Sequence, residues 1–147
     1  MSLENSRSVV GRRGELLAEL FLQELNPVFI SRPTTKDLGY DLLVGFPNEK
    51  DGINTFAVEV KSMEKPPGSS VTIPRSIFHR IAHSNVPGLL LVADVKRNRL
   101  FYAWLRPGDS KSAGTGVSIP VTEISETSRR ILKRQLENAE PVIAAAG

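Results

Sequence analysis

The sequence predicts an α/β domain, a mixed central sheet flanked by helices. Apolar residues recur at helical spacing in three separate segments, and apolar runs of strand length lie between them. The resulting order is helix, three strands, helix, two strands, helix, with no internal repeat. A chain of 147 residues suits one domain over 1–147, because two would each fall below the usual size of roughly 100–150 residues. Hydrophobic residues at 40% and charged residues at 24% argue against global disorder and a fibrous fold.

The first helix is expected over residues 14–25. At 100° per residue, Leu17, Ala18, Phe21 and Leu25 share one broad face, with Leu20 and Leu22 at its margins. Residues 1–10 before it read as a loose tail, and Asn26-Pro27 stops the helix. A short strand follows over 28–31, a loop over 32–36, a second strand over 40–46 and a turn over 47–54. The third strand, 55–63, puts Phe56, Val58 and Val60 on one face. Pro66-Pro67-Gly68-Ser69-Ser70 then breaks the chain.

Pro74 opens the second helix, expected to run to about Ser84 and to end at Val86-Pro87-Gly88. Residues 89–95 form a continuous apolar run, as in a strand buried on both faces. Residues 96–98 connect it tightly to a hairpin partner over 100–105. A Gly/Ser-rich loop over 108–116, a basic helix over 123–138 and a loose tail over 139–147 complete the chain.

The absence of cysteine excludes disulfides, thiolate zinc sites, iron–sulfur clusters and cysteine nucleophiles. No apolar run approaches the roughly 20 residues that span a bilayer, and residues 1–14 do not read as a signal peptide. A cytoplasmic protein with no membrane partner is the expectation. The net charge of +3 is unevenly placed: residues 1–70 hold 8 basic and 10 acidic side chains, residues 71–147 hold 11 and 6. Such a division suits an acidic half that holds a cation and a basic half that faces phosphates, and equally an ordinary basic surface.

Three acid-x-Lys pairs occur: Glu59/Lys61, Asp94/Lys96 and Asp109/Lys111. Asp109 and Lys111 fall in the Gly/Ser-rich loop, and Asp94 and Lys96 at a hairpin turn. Only Glu59 and Lys61 lie inside a strand, where alternation puts both on the face opposite Phe56, Val58 and Val60. Charges at such positions are costly to bury unless each is paired or binds an ion. A second acid, Asp41, interrupts the start of the preceding strand. Glu15 lies on the first helix beside Ala18 and Leu22, at the border of its apolar face, with Glu19 further toward solvent. The rival reading makes Glu59–Lys61 a satisfied ion pair and Asp41 a turn residue.

Glu15, then Asp41, then Glu59-Val60-Lys61, in this order, resembles the PD-(D/E)XK nuclease superfamily, whose core is helix, three strands, helix, strand. Asp37-Leu38-Gly39-Tyr40-Asp41 with Val58-Glu59-Val60-Lys61-Ser62 is similar to a bacterial family of unknown function carrying D-x-G-x-D and E/Q-V-K-S motifs. The stretches 87–94 and 101–105 also look like that family, and the placing of Glu15 on its helix is similar to that in archaeal Holliday junction resolvases. The resemblance covers residues 11–105. No Pro precedes Asp41, and Glu59 stands where many members of that family carry Gln, which restores a fully charged metal-binding oxygen.

The resemblance implies a restriction-endonuclease-like core and a metal-dependent endonuclease that hydrolyses phosphodiester bonds, in DNA more than in RNA. Asp41, Glu59 and the Val60 carbonyl would hold Mg²⁺ or Mn²⁺, with Glu15 directly or through water. Lys61 would orient or deprotonate the attacking water and stabilise charge on the phosphate. The alternative is a catalytically silent nuclease fold that binds nucleic acid or a protein partner.

Nucleic-acid contacts are expected from Arg75, His79, Arg80 and His83 on the second helix and from Arg130 and Arg134 on the third. His79 and His83 are four apart, a spacing that also allows metal ligation, although no acidic partner lies near them. Phosphate contact or plain surface placement explains His79 and His83 better than metal ligation, and a solvated basic face explains the third helix equally well. Gly11-x-x-Gly14 is too poor in glycine for a phosphate loop, and no Ser-His-Asp arrangement is legible. A homodimer is possible through the apolar hairpin of residues 101–104 and the tail at Val142-Ile143.

Overall fold

Two hydrophobic clusters, one on each face of a single six-stranded sheet, organise the molecule. The computed structural model describes residues 3–33, 39–108 and 111–138. Helix α1 (Leu3–Glu24) leads into strands β1 (Phe29–Ser31), β2 (Leu42–Pro47) and β3 (Ile53–Met63), an antiparallel meander. Strand β4 (Ser70–Pro74) and helix α2 (Arg75–Ala82) carry the chain across to β5 (Gly88–Asp94), which lies parallel to β3. A parallel neighbour requires such a crossover. Strand β6 (Arg99–Leu105) returns antiparallel to β5. Strands β7 (Lys111–Ala113), β8 (Gly116–Pro120) and β9 (Thr122–Glu123) precede helix α3 (Glu126–Asn138). The main sheet runs β1-β2-β3-β5-β6-β9, and β4-β8-β7 form a second, three-stranded sheet.

Every residue of β5 is buried, as its unbroken apolar run predicts. Leu89 and Leu91 join the cluster beneath α1 and α3, with Leu22, Phe56, Trp104, Leu132 and Leu136. Leu90 and Val92 face the other cluster, formed with Phe78 and Ile81 of α2 and with Val71, Ile73, Val117 and Ile119 of the small sheet. The observed architecture is the expected α/β arrangement of a mixed sheet flanked by helices.

Several boundaries differ from the sequence expectation. Helix α1 begins at Leu3 rather than at residue 14, so the lead expected to be loose is helical from Leu3 onward. Gly14 lies inside the helix rather than at its start, and its bare Cα lets α1 lie on β3: a Cβ there would stand 1.7 Å from Ser62 Oγ. Asn26, at φ 61°, supplies the left-handed residue that often follows a helix end.

Strands β4, β7, β8 and β9 were not expected. Val71/Ile73 and Val117/Ile119 carry the alternation of half-buried strands, but each sits in a short segment bounded by Ser, Gly and Pro. The α3 start moves to Glu126 because Thr122 and Glu123 pair with β6. Asp37 and Leu38 of the D-x-G-x-D motif, Asp109 and residues 139–147 lie outside the described residues. Phe101, Ala103 and Trp104 are buried in this chain's own core. Among the described residues, no helix is long and apolar enough to cross a membrane.

Candidate functional site

Strand β2 begins beside the middle of β3, with Leu42 opposite Val58, so the last five residues of β3 run on past it. Asp41 stands at this step. Its backbone N–H donates to the Val58 carbonyl at 2.8 Å, and its Oδ2 accepts the Val60 N–H at 2.8 Å. The side chain thus continues the ladder by one bond where the main chain of β2 has ended. In a strand, the N–H and C=O of one residue point to the same side, so the Val60 carbonyl also points toward this open edge.

Glu59 lies on the α2 face of β3, and the Leu43–Ala57 pairing puts Asp41 in the same cross-strand row. Burial raises the Glu59 pKa to about 8, with further upward pressure from the charges of Asp41 and then Glu15. Asp41 is also raised: burial is the main cause, the Val60 N–H opposes it, and the Glu15 charge adds to it. These mutual effects bring Glu15, Asp41 and Glu59 into one electrostatic neighbourhood. The close approach of α1 to β3 at Gly14 and Ser62 accounts for the reach of Glu15, the next residue of the helix.

Glu15 and Glu19 differ from the expectation in exposure. The Glu15 side chain is 39% exposed and pairs with Arg12 at 3.6 Å, whereas Glu19 is only 21% exposed and pairs with Arg32. Glu19 is therefore the less exposed acid, contrary to its expected place toward solvent, but its charge is engaged by Arg32. Glu15 is the acid whose charge bears on the pair.

Lys61 follows Glu59 on the same face, but it does not act as counter-ion to the two acids. Its Nζ donates to the Thr72 carbonyl at 2.7 Å, and among the described residues no ion pair joins it to Asp41 or Glu59. The unforeseen strand β4 supplies that carbonyl. An ammonium group has three donors, so two remain for other partners.

The acid row offers hard oxygen donors: two carboxylates and the Val60 carbonyl, a set whose chemistry suits Mg²⁺ or Mn²⁺. No group of three or more His, Cys, Asp or Glu among the described residues is disposed to hold a metal ion as it stands. Among the described residues, the oxygen donors on this edge are thus Asp41, Glu59 and the Val60 carbonyl alone.

The expected nucleic-acid contacts divide between two faces. Helix α2, with Arg75, His79, Arg80 and His83, packs on the same sheet face as Glu59 and Lys61. Helix α3, with Arg130 and Arg134, packs on the opposite face, and Arg130 pairs with Glu126 at 2.9 Å. Arg75 donates to Ser112 Oγ and to the carbonyls of Gly114 and Gly116, and so binds the β7–β8 hairpin to α2. His79 and His83 are exposed with ring centroids 5.6 Å apart. The stem of Arg80 crosses Gly39, whose φ of 83° and missing Cβ make room for it.

Asp94 and Lys96 take the structural role their hairpin position suggests. Asp94 is fully buried, accepts the Lys96 and Arg97 N–H groups and pairs with Arg97 at 3.2 Å. Sequence reasoning did not find Gly14, Tyr40 or Thr72. Only the alternation of Val71 and Ile73 pointed to a strand that would carry Thr72. Compared with known proteins, the chain matches no family model and no curated protein.

Proposed function

We propose that this chain is a metal-dependent nuclease of PD-(D/E)XK type that hydrolyses phosphodiester bonds in DNA. The single observation that carries the reading is the row of Asp41 and Glu59: two partly buried carboxylates on one sheet face, both with raised pKa and each pushed up by neighbouring acids. Buried like charges of this kind are costly without a cation. The element order α1, β1, β2, β3, β4, α2, β5 supports the same reading, since apart from β4 it runs helix, three strands, helix, strand.

Asp41, Glu59 and the Val60 carbonyl would hold the ion, with Glu15 beside them. A bound Mg²⁺ supplies Lewis acidity toward a phosphoryl oxygen. The chain's own residues do the remaining work. The Val60 N–H fixes one Asp41 oxygen and leaves the other for the cation. Thr72 holds the Lys61 ammonium by one donor, and the other two can orient water and stabilise charge on phosphate. Helix α2 presents His79 and His83 on the same sheet face, where the nucleic-acid backbone would run.

One observation favours the second reading, a silent fold that only binds nucleic acid or protein: the Lys61 ammonium rests on a backbone carbonyl instead of on the acids. Incubation with DNA and RNA of varied structure, with and without Mg²⁺ or Mn²⁺, separates the two. Cation-dependent cutting that is lost in Asp41→Ala supports the nuclease, and binding without cutting supports the module.

A further inference from the structure

We infer that the cavity between α2 and the β2–β3 pair is a subsite for one unpaired nucleobase next to the acid row. Its volume is about 110 Å³, and Tyr40, Leu43, Ala57, Arg80, Ile81, Ser84 and Val86 line it. That is several times the space one water requires, and most of the lining is apolar. A flat, weakly polar ring fits such a space better than a phosphate or a sugar.

The sheet register fixes where this cavity lies. Leu43 and Ala57 are cross-strand partners and contribute adjacent side chains to its lining. Two residues further along the same face of each strand come Asp41 and Glu59, so the cavity and the acid row are successive rows of one surface. Two strand residues span about 7 Å. Tyr40 connects the two rows directly, since it lines the cavity and is the residue before Asp41. Its ring provides the stacking surface that proteins use to hold unpaired bases, and the apolar remainder excludes water from the other face.

This inference rests on the reading of the acid row as the place of a backbone phosphate. Given that reading, a phosphate at Asp41 and Glu59 puts the adjoining base at the cavity mouth. A base within an intact duplex is stacked and paired and does not reach it, so the substrate class is DNA with unpaired nucleotides: single strands, flaps or junction arms.

The test uses the full chain in Ca²⁺ and fluorescence anisotropy, so that the readout is binding and not turnover. The probes are a single-stranded oligodeoxynucleotide, the same strand with its bases replaced by abasic sites, and the blunt duplex. Wild type is expected to bind the natural strand about tenfold more tightly than either of the others, the size of one base–aromatic stack. Leu43→Trp, which fills the cavity, should bring the natural strand down to the abasic value. Should that variant fail to fold, Tyr40→Ala is expected to give the same loss and Tyr40→Phe to restore it. Equal binding of natural and abasic strands by wild type would overturn the inference, as would an undiminished tenfold preference in folded Leu43→Trp. A parallel incubation with Mg²⁺ keeps the two readings separate. Base-dependent binding without cutting would remove the hydrolysis and keep the subsite, whereas cutting without base dependence would remove the subsite alone.

Discussion

Asp41 Oδ2 accepts the backbone N–H of Val60 at 2.8 Å, a bond made by a side chain where β2 has no further main chain to offer. Asp41 is thereby both part of the sheet and half of an acid pair with Glu59. The two roles respond differently to substitution.

Asp41→Asn keeps a side-chain oxygen for Val60 and removes a charge that burial and Glu15 penalise. Its melting temperature is expected to equal or exceed that of wild type, while stabilisation by Mg²⁺ is lost. Asp41→Ala leaves the Val60 N–H without its acceptor and should cost about 1–3 kcal/mol. Thermal denaturation of the three proteins with and without Mg²⁺ checks this. A large drop in Asp41→Asn with unchanged metal response would make Asp41 a purely structural residue.

Glu59 predicts the pH dependence. A carboxyl with a raised folded pKa keeps its proton where the unfolded chain has released it, so stability falls as pH rises between the two values. For Glu59 that window runs from 4.5 to about 8, and Asp41 acts in the same direction. The metal-free chain should therefore melt lower as pH rises through this window, and the added stability from Mg²⁺ should grow over the same range. Glu59→Gln should flatten both trends. Identical pH profiles for Glu59→Gln and wild type would contradict the burial of this acid.

Gly14 is expected to tolerate no side chain. A Cβ would lie 1.7 Å from Ser62 Oγ and 2.7 Å from Ser62 Cβ, so α1 must move away from β3. Gly14→Ala should cost about 1–3 kcal/mol by overpacking, even though Ala is the better helix former. It should also weaken the coupling of Glu15 to the acid pair, read as a smaller upward shift of the Glu59 pKa. An unchanged or higher melting temperature would show that helix and strand are less closely fitted.

Much of this was legible from pattern alone. Phe56, Val58 and Val60 alternate with Glu59 and Lys61 clearly enough to fix the two faces of β3, and the unbroken run in β5 marks the sheet centre. Glu15 lies on α1, Asp41 just before β2 and Glu59 on β3, and their order in sequence was enough to single them out. Contacts between distant segments were not legible. The Lys61 bond to Thr72 depends on β4, which belongs to the second sheet and pairs Thr72 with Ser118 of β8, 46 residues along the chain. Gly14 reads locally as the start of the first helix, and only Ser62, far along the chain, shows why it has no side chain.

Lys61→Ala separates catalysis from binding. Metal and DNA affinity should stay near wild type, while the rate of cleavage falls about 100- to 1000-fold through loss of one transition-state contact. Loss of the Thr72 bond should cost only about 1 kcal/mol of stability. Single-turnover cleavage alongside DNA-binding titration checks both parts. Wild-type cleavage by this variant would remove Lys61 from the mechanism.

The most direct measurement is DNA cleavage by the purified chain in Mg²⁺ or Mn²⁺, with a chelator control and Asp41→Asn in parallel. The account predicts cutting that requires the cation and disappears in Asp41→Asn. No cutting of single-stranded, flapped, junction or duplex DNA with either cation, or equal cutting by Asp41→Asn, would contradict it.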